Sequence, residues 1–310
     1  MKHNANKNNQ EKYQKLLNDL IPHLDEYSYL SGTEGKVYFV HDLYVVKEYY
    51  NSDINVSLFN KYCEEIQSFA DRGFSVPKIY AWACVFEGLY NKNSYILEER
   101  IKGNNLFREM KDMYPKVQHQ CSEEEFHEAI FKPKKNAKLF TEILIAYLTD
   151  INDTAKSLLN LEEDKLQDFI NSLYHLYTDS NNSFPDIHEN NILFDGNQLT
   201  IIDQLALRKD PNFSLEQARK RVIGDIFGIF EKFSVIQSVQ PFHIGLKPKF
   251  QSIKNETLQN AISVVKRFGK QCQKILPPNP KLTFDDFYFE ATSLFDDKLS
   301  KKLAEEIEKE

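Results

Sequence analysis

An α+β fold, with a small antiparallel β-sheet and one helix near the N-terminus and a mostly helical remainder, is the class this sequence predicts. Three stretches predict it. Residues 29–49 alternate apolar runs with glycine and aspartate turns, the pattern of strands joined by tight connections. Residues 140–159, FTEILIAYLTDINDTAKSLL, carry a broad apolar face at helical spacing. Between Ile192 and Ile202 two short apolar runs flank Asp195-Gly196-Asn197-Gln198, and Asp-Gly in that setting is a strong hairpin signal.

Composition narrows the class of function. The chain has 310 residues, 41% hydrophobic and 13% aromatic, which suits a substantial folded core. Its net charge of −7 argues against a broad nucleic-acid footprint. Cys63, Cys84, Cys121 and Cys272 stand singly, without the C-x-x-C pairing of a zinc site, and read as reduced thiols in a cytoplasmic setting. No apolar run approaches the ~20 residues of a membrane-spanning helix, so no transmembrane segment is expected. The polar start, MKHNANKNNQEKYQ, lacks the apolar stretch of a secretory signal and reads as a loose lead-in.

Taken in order, Leu16, Leu17, Leu20, Ile21 and Leu24 recur at helical spacing, and Pro22 ends that helix early. A strand, a Gly32-Thr33-Glu34-Gly35 turn and a second strand through Val37 follow. Asp42 then turns the chain into a third strand containing Val45-Val46-Lys47. Residues 58–72 form a helix with Leu58, Tyr62, Ile66 and Phe69 on one face and Gly73 as its stop. Residues 94–97 make a strand running into Glu98-Glu99-Arg100-Ile101-Lys102-Gly103. Residues 105–179 are mostly helical. Residues 247–310 read as a separate tail, with a helix over 255–274, a proline patch and a charged terminal helix.

The chemistry concentrates in residues 184–205, FPDIHENNILFDGNQLTIIDQL. A loop, a strand, the Asp-Gly turn and a second strand bring Asp186, Asn191 and Asp203 to one end of a hairpin. Two carboxylates and an amide oxygen suit a hard cation such as Mg²⁺, which prefers oxygen ligands and shares them with substrate phosphates.

The same residues carry a resemblance. Phe184 to Asn191 align with the H-R-D-L-x-x-x-N loop, and Asp203-Gln204-Leu205 with D-F-G. Gly32, Gly35 and Val37 match part of the glycine-rich loop, and Val45-Val46-Lys47 resembles the V-A-I-K strand. The chain resembles the protein-kinase-like superfamily, nearest its aminoglycoside and choline kinase branch or atypical bacterial effector kinases. The resemblance implies a bilobal fold: an extension over 1–25, an N-lobe over 26–100, a helical C-lobe with an insertion over 101–246, and a C-terminal extension over 247–310.

It also implies roles. Asp186 orients the acceptor hydroxyl and takes its proton, while Asn191 and Asp203 hold Mg²⁺ (or Mn²⁺). Lys47 reaches the ATP phosphates, paired with Glu65 or Glu64, Glu65 being preferred. Gly32, Thr33, Glu34, Gly35 and Val37 cover the nucleotide, and the backbone near Glu99 and Ile101 meets the adenine edge. His188 steers the acceptor or the γ-phosphate, or braces the loop. Asp225 ties down the loop backbone from the start of a buried helix. The implied activity is ATP-dependent transfer to a hydroxyl, and three forms of it stay open. The first is a kinase acting on a small hydroxylated molecule, favoured by the long helical insertion. The second is an atypical protein Ser/Thr kinase, such as an effector secreted into a host cytosol. The third is a pseudokinase that binds nucleotide.

Overall fold

A strand buried on both sides needs cover on both sides, and the first part of this chain is built around one. In the computed structural model, which describes residues 2–32, 35–50, 56–87, 90–179, 187–202, 214–230 and 232–276, the chain divides into two units. The first comprises Met1–Lys102, His175–Asp186 and Thr200–Phe213; the second comprises Gly103–Tyr174, Ile187–Leu199 and Ser214–Glu310. The expected α+β class is the class observed.

The first unit opens with α1 (Lys2–Leu20) and a 3-10 turn over Ile21–Glu26 with Pro22 as its second residue. The lead-in is helical rather than loose, since residues 2–12 contain neither glycine nor proline to interrupt it. Strands β1 (Tyr29–Ser31), β2 (Gly35–Tyr38) and β3 (Tyr44–Tyr50) follow, then α2 (Val56–Asp71), β4 (Ile79–Glu87) and β5 (Tyr90–Glu99). They form one antiparallel sheet in the order β1-β2-β3-β5-β4. Central strand β3 is buried from Val45 to Tyr49.

Alternation sends Val46 and Glu48 to one face and Val45, Lys47 and Tyr49 to the other. On the first face, Val46, Tyr38, Tyr95 and Leu97 pack with Leu17 of α1 and Leu24. Glu48 is buried there and accepts from Tyr38 Oη at 2.7 Å, Asn93 Nδ2 at 2.7 Å and Tyr95 Oη at 3.0 Å. Three donors satisfy a carboxylate that would otherwise be costly to bury. On the opposite face Tyr49 meets Phe59 of α2 edge-on, and Trp82 Nε1 donates to Asn60 Oδ1 at 3.1 Å. Helix α2 buries Phe59, Tyr62, Cys63, Ile66 and Phe69 as one stripe. It ends in a Schellman motif: Phe74 N donates to Phe69 O, Gly73 N donates to Ala70 O, and Gly73 takes φ +87°.

The second unit contains β6 (Asn104–Asn105), α3 (Tyr114–Val117), α4 (Glu123–Phe131), α5 (Ala137–Asn160) and α6 (Glu163–Thr178), whose last residues belong to the first unit. Strand β7 (Ile192–Phe194) comes next, then β8 (Leu199–Ile201), whose Thr200 and Ile201 belong to the first unit, and α7 (Leu215–Phe230), α8 (Lys232–Ser238) and α9 (Lys247–Ile275). Helix α9 starts before its apolar pattern suggests and packs along α5. Thr257 Oγ1 donates to Leu148 O, Asn260 Nδ2 to Asn152 Oδ1, and Arg267 Nη1 to Leu158 O and Leu159 O. Residue numbers rise together across these pairs, so the two helices run parallel. Arg267 also donates to Leu161 O, supplying partners and positive charge to the carbonyl end of α5. Buried Lys254 does the same at the end of α8, donating to Gln237 O and Val239 O.

The small sheet has the order β6-β7-β8. Asp195 Oδ1 accepts from Asn197 N and Gln198 N, and Gly196 takes φ +97°, so the Asp-Gly turn is as expected. Gly103 sits at φ +141°, and a Cβ there would stand 2.8 Å from Phe194 O. Gly73 has a positive φ but open space around it. Gly73→Ala should therefore lose about 1–2 kcal/mol of stability to backbone strain alone. Gly103→Ala adds a backbone clash and should lose about 2–5 kcal/mol. Urea unfolding of the two variants checks this; equal losses would remove the close approach as the reason for Gly103.

Candidate functional site

Lys47 lies in the middle of β3, 9% exposed, and its ammonium is 3.0 Å from Glu98 Oε1 of β5. The register pairs Lys47 with Ile96 and Val45 with Glu98, so Glu98 is the diagonal neighbour of Lys47 on the same face. Glu98 is 6% exposed. A buried ammonium is tolerated when a carboxylate and hydrogen bonds compensate its lost hydration. Val37 is the direct partner of Lys47 on β2. Burial first, then the neighbouring Cys84 and Glu98, push the Cys63 thiol of α2 well above its usual range. On α2, Glu64 is exposed and Glu65 half-buried. Glu98 is a carboxylate beside Lys47 that the local sequence pattern did not offer. Two strands paired in register would have offered it.

The glycine turn has a structural reason of its own. Gly32 N donates to Gly35 O at 2.8 Å, so that N–H is used within the turn. A Cβ on Gly35 would lie 1.8 Å from Glu48 O, so glycine is required by the approach of β2 to β3. Thr33 and Glu34 lie outside the described residues. At the end of β5, Glu99 N donates to Lys78 O at 2.8 Å and Arg100 N to Leu43 O at 2.9 Å. The half-buried Ile101 makes no backbone hydrogen bond among the described residues.

In the second unit the loop before β7 is a 3-10 turn capped by His188, whose Nδ1 accepts from Asn190 N at 3.2 Å. Asn191 N donates to His188 O at 2.9 Å, and Lys232 Nζ is 3.5 Å from Glu189. The His188 ring thus braces the loop through Nδ1. Asn191 is half-buried. Asp186 and Asp203 fall outside the described residues, and among those described no group of three His, Cys, Asp or Glu side chains forms a metal cluster. The chemistry of the expected donor set, two carboxylates and an amide oxygen, fits a hard divalent cation. Asp225 is buried inside α7 rather than at a helix start, with Arg221 Nε at 3.4 Å.

A further cluster had no sequence signal. In the first unit Arg72, at the end of α2, stacks over Phe69 and Phe74 and donates to Asp179 Oδ2 at 2.9 Å. His175 stacks on Phe74, and its Nδ1 is 3.0 Å from the same oxygen. The clamp therefore ties the end of α2 to the end of α6, just ahead of the segment that carries Asp186. Among the described residues no helix is long and apolar enough to cross a membrane, and the four cysteines are unbridged.

No family model matches this sequence, and no curated protein matches it. Several of the solved structures similar to it are named as kinases or phosphotransferases. One is the bifunctional kinase-methyltransferase WbdD, 13% identical over 86% of this chain and 50% of that one, with a TM-score of 0.35. Another is WaaP in complex with acyl carrier protein, 11% identical over 86% of this chain and 97% of that one, TM-score 0.37. A third is amicoumacin kinase hAmiN, 11% identical over 91% and 89%, TM-score 0.35. This chain spans about half the length of the WbdD structures it matches. At these TM-scores the likeness assigns neither activity nor substrate.

The clamp has a pH signature. Burial works to raise the Asp179 pKa, but hydrogen bonds from Arg72, Thr178 and His175 outweigh it and leave the carboxyl below its usual value. A depressed pKa stabilises the fold above the unfolded value and loses that stabilisation as pH falls through the folded one. Asp179→Asn should thus be less stable than wild type near neutrality, and the gap should close below about pH 4. Urea midpoints measured against pH check this; a gap unchanged at low pH would contradict the ion-paired assignment.

Proposed function

We propose that this chain is a protein-kinase-like phosphotransferase that moves the γ-phosphate of ATP to the hydroxyl of a small molecule. The observation that carries the reading is Lys47, a buried lysine at the centre of the five-stranded sheet, held by a carboxylate beside a glycine-bearing hairpin. Buried, paired titratable groups are candidates for function because structure alone favours apolar residues there.

Around that lysine the remaining roles follow. Lys47 donates to oxygens of the α- and β-phosphates. The Ile101 N–H and carbonyl receive the adenine edge, and the turn between Gly32 and Gly35 covers the phosphates. Asp186 aligns the acceptor hydroxyl and takes its proton as the new P–O bond forms, while the ADP oxygen leaves. Asn191 and Asp203 are the oxygen ligands for Mg²⁺ (or Mn²⁺), which when bound neutralises charge between the phosphates. His188 keeps Asn191 in its turn. The transition state is loose, so positioning and electrostatics supply most of the rate. The helical stretch from α3 to α6, longer than a compact protein kinase places between these motifs, supports a small acceptor.

Incubation with γ-labelled ATP against a metabolite pool and, in parallel, a protein lysate tests the reading. Label should appear in a small molecule, and label confined to proteins would move the acceptor class to protein. Asp186→Ala should abolish transfer and leave ATP binding nearly intact; unchanged turnover would refute Asp186 as the base. Asp203→Ala should remove the thermal shift given by Mg–ATP, and a retained shift would refute the metal assignment.

A further inference from the structure

On the phosphotransferase reading, we propose that Glu98, a sheet residue, is the positioning residue for Lys47, so that the lysine is set in place without any movement of helix α2. Three observations support this. Lys47 and Glu98 are both buried and 3.0 Å apart, on strands that pair without interruption from Tyr44↔Glu99 to Tyr50↔Asn93. A diagonal pair on one face of such a ladder has its separation fixed by backbone hydrogen bonds. The reverse face is locked as well. Glu48, next to Lys47 in sequence, is held by Tyr38 of β2 and by Asn93 and Tyr95 of β5, which fastens β3 to both neighbours.

The consequence concerns regulation. A lysine whose carboxylate sits on a helix can be switched by swinging that helix, because its charge partner leaves with it. Glu98 stays within reach of Lys47 for as long as β3 and β5 remain paired. The phosphate-binding lysine is therefore constitutively placed, and control of activity belongs elsewhere, at the acceptor or at the loop that holds Asp186.

The test uses the full chain with Mg–ATP and a metabolite pool as acceptor, reading ADP formation, in Lys47→Met, Glu98→Gln, the double variant and Glu65→Gln. Glu98→Gln should lower kcat by about tenfold or more, and adding it to Lys47→Met should lower kcat no further, because both changes remove one interaction. Losses that multiply in the double variant would overturn the proposal. So would Glu65→Gln matching Lys47→Met while Glu98→Gln turns over like wild type. Thermal unfolding gives a second readout that needs no activity. Lys47→Met strands a buried carboxylate and should lower Tm, and Glu98→Gln added to it should recover part of the loss. A further drop in Tm would count against the pairing. If wild type forms no ADP from Mg–ATP and the pool, the phosphotransferase reading fails on its own, while the Tm cycle still decides whether Glu98 holds Lys47.

Discussion

One buried ion pair organises the first unit. An ammonium and a carboxylate removed from water are tolerable only in close contact, and deleting either partner of such a pair typically costs about 3–5 kcal/mol. Lys47 and Glu98 therefore have to be delivered to the same face of adjacent strands. That requirement forces β3 to the middle of the sheet and β5 beside it, with α1 and α2 keeping water from the two faces. The hairpin before β3 is bound by the same geometry, because Gly35 lets β2 come close enough to cover the strand that carries the lysine.

The same rule recurs where charge is buried elsewhere. Glu48 is satisfied by two phenols and an amide, and burial helps push the Tyr95 hydroxyl up to about 12. In the second unit, Arg267 and Lys254 place cations against the carbonyl ends of α5 and α8. There helix termini take the part that a carboxylate takes in the sheet, accepting hydrogen bonds while carrying partial negative charge. These contacts explain how polar side chains sit inside packed helices with their hydrogen-bonding capacity used.

Local pattern revealed the elements well and the pairings poorly. The Gly32–Gly35 hairpin, the β3 strand, the α2 stripe with its Gly73 stop and the Asp-Gly turn were all legible, because alternation, helical spacing and turn residues act over a few positions. Asp225 was less so: its helix begins earlier, at Leu215, where Ser214 Oγ accepts from Gln217 N and Gln217 Oε1 accepts from Ser214 N. The Glu98 partner was hidden because it depends on strand register, a long-range property. The Arg72–Asp179–His175 clamp joins residues far apart in the chain and left no periodic trace. A close backbone approach also leaves little mark on a sequence, and Gly35 and Gly103 owe their identity to packing as much as to any ligand.

On the proposed function, a lysine fixed in the sheet receives a metal-bound triphosphate. Isothermal titration calorimetry with a non-hydrolysable ATP analogue, with and without Mg²⁺, measures this most directly. The account predicts saturable, Mg²⁺-dependent binding by the wild type, weakened at least about tenfold in Lys47→Met, since a desolvated charged contact is worth at least about 1.4 kcal/mol. Binding of equal strength in both proteins, or none in the wild type, would contradict it.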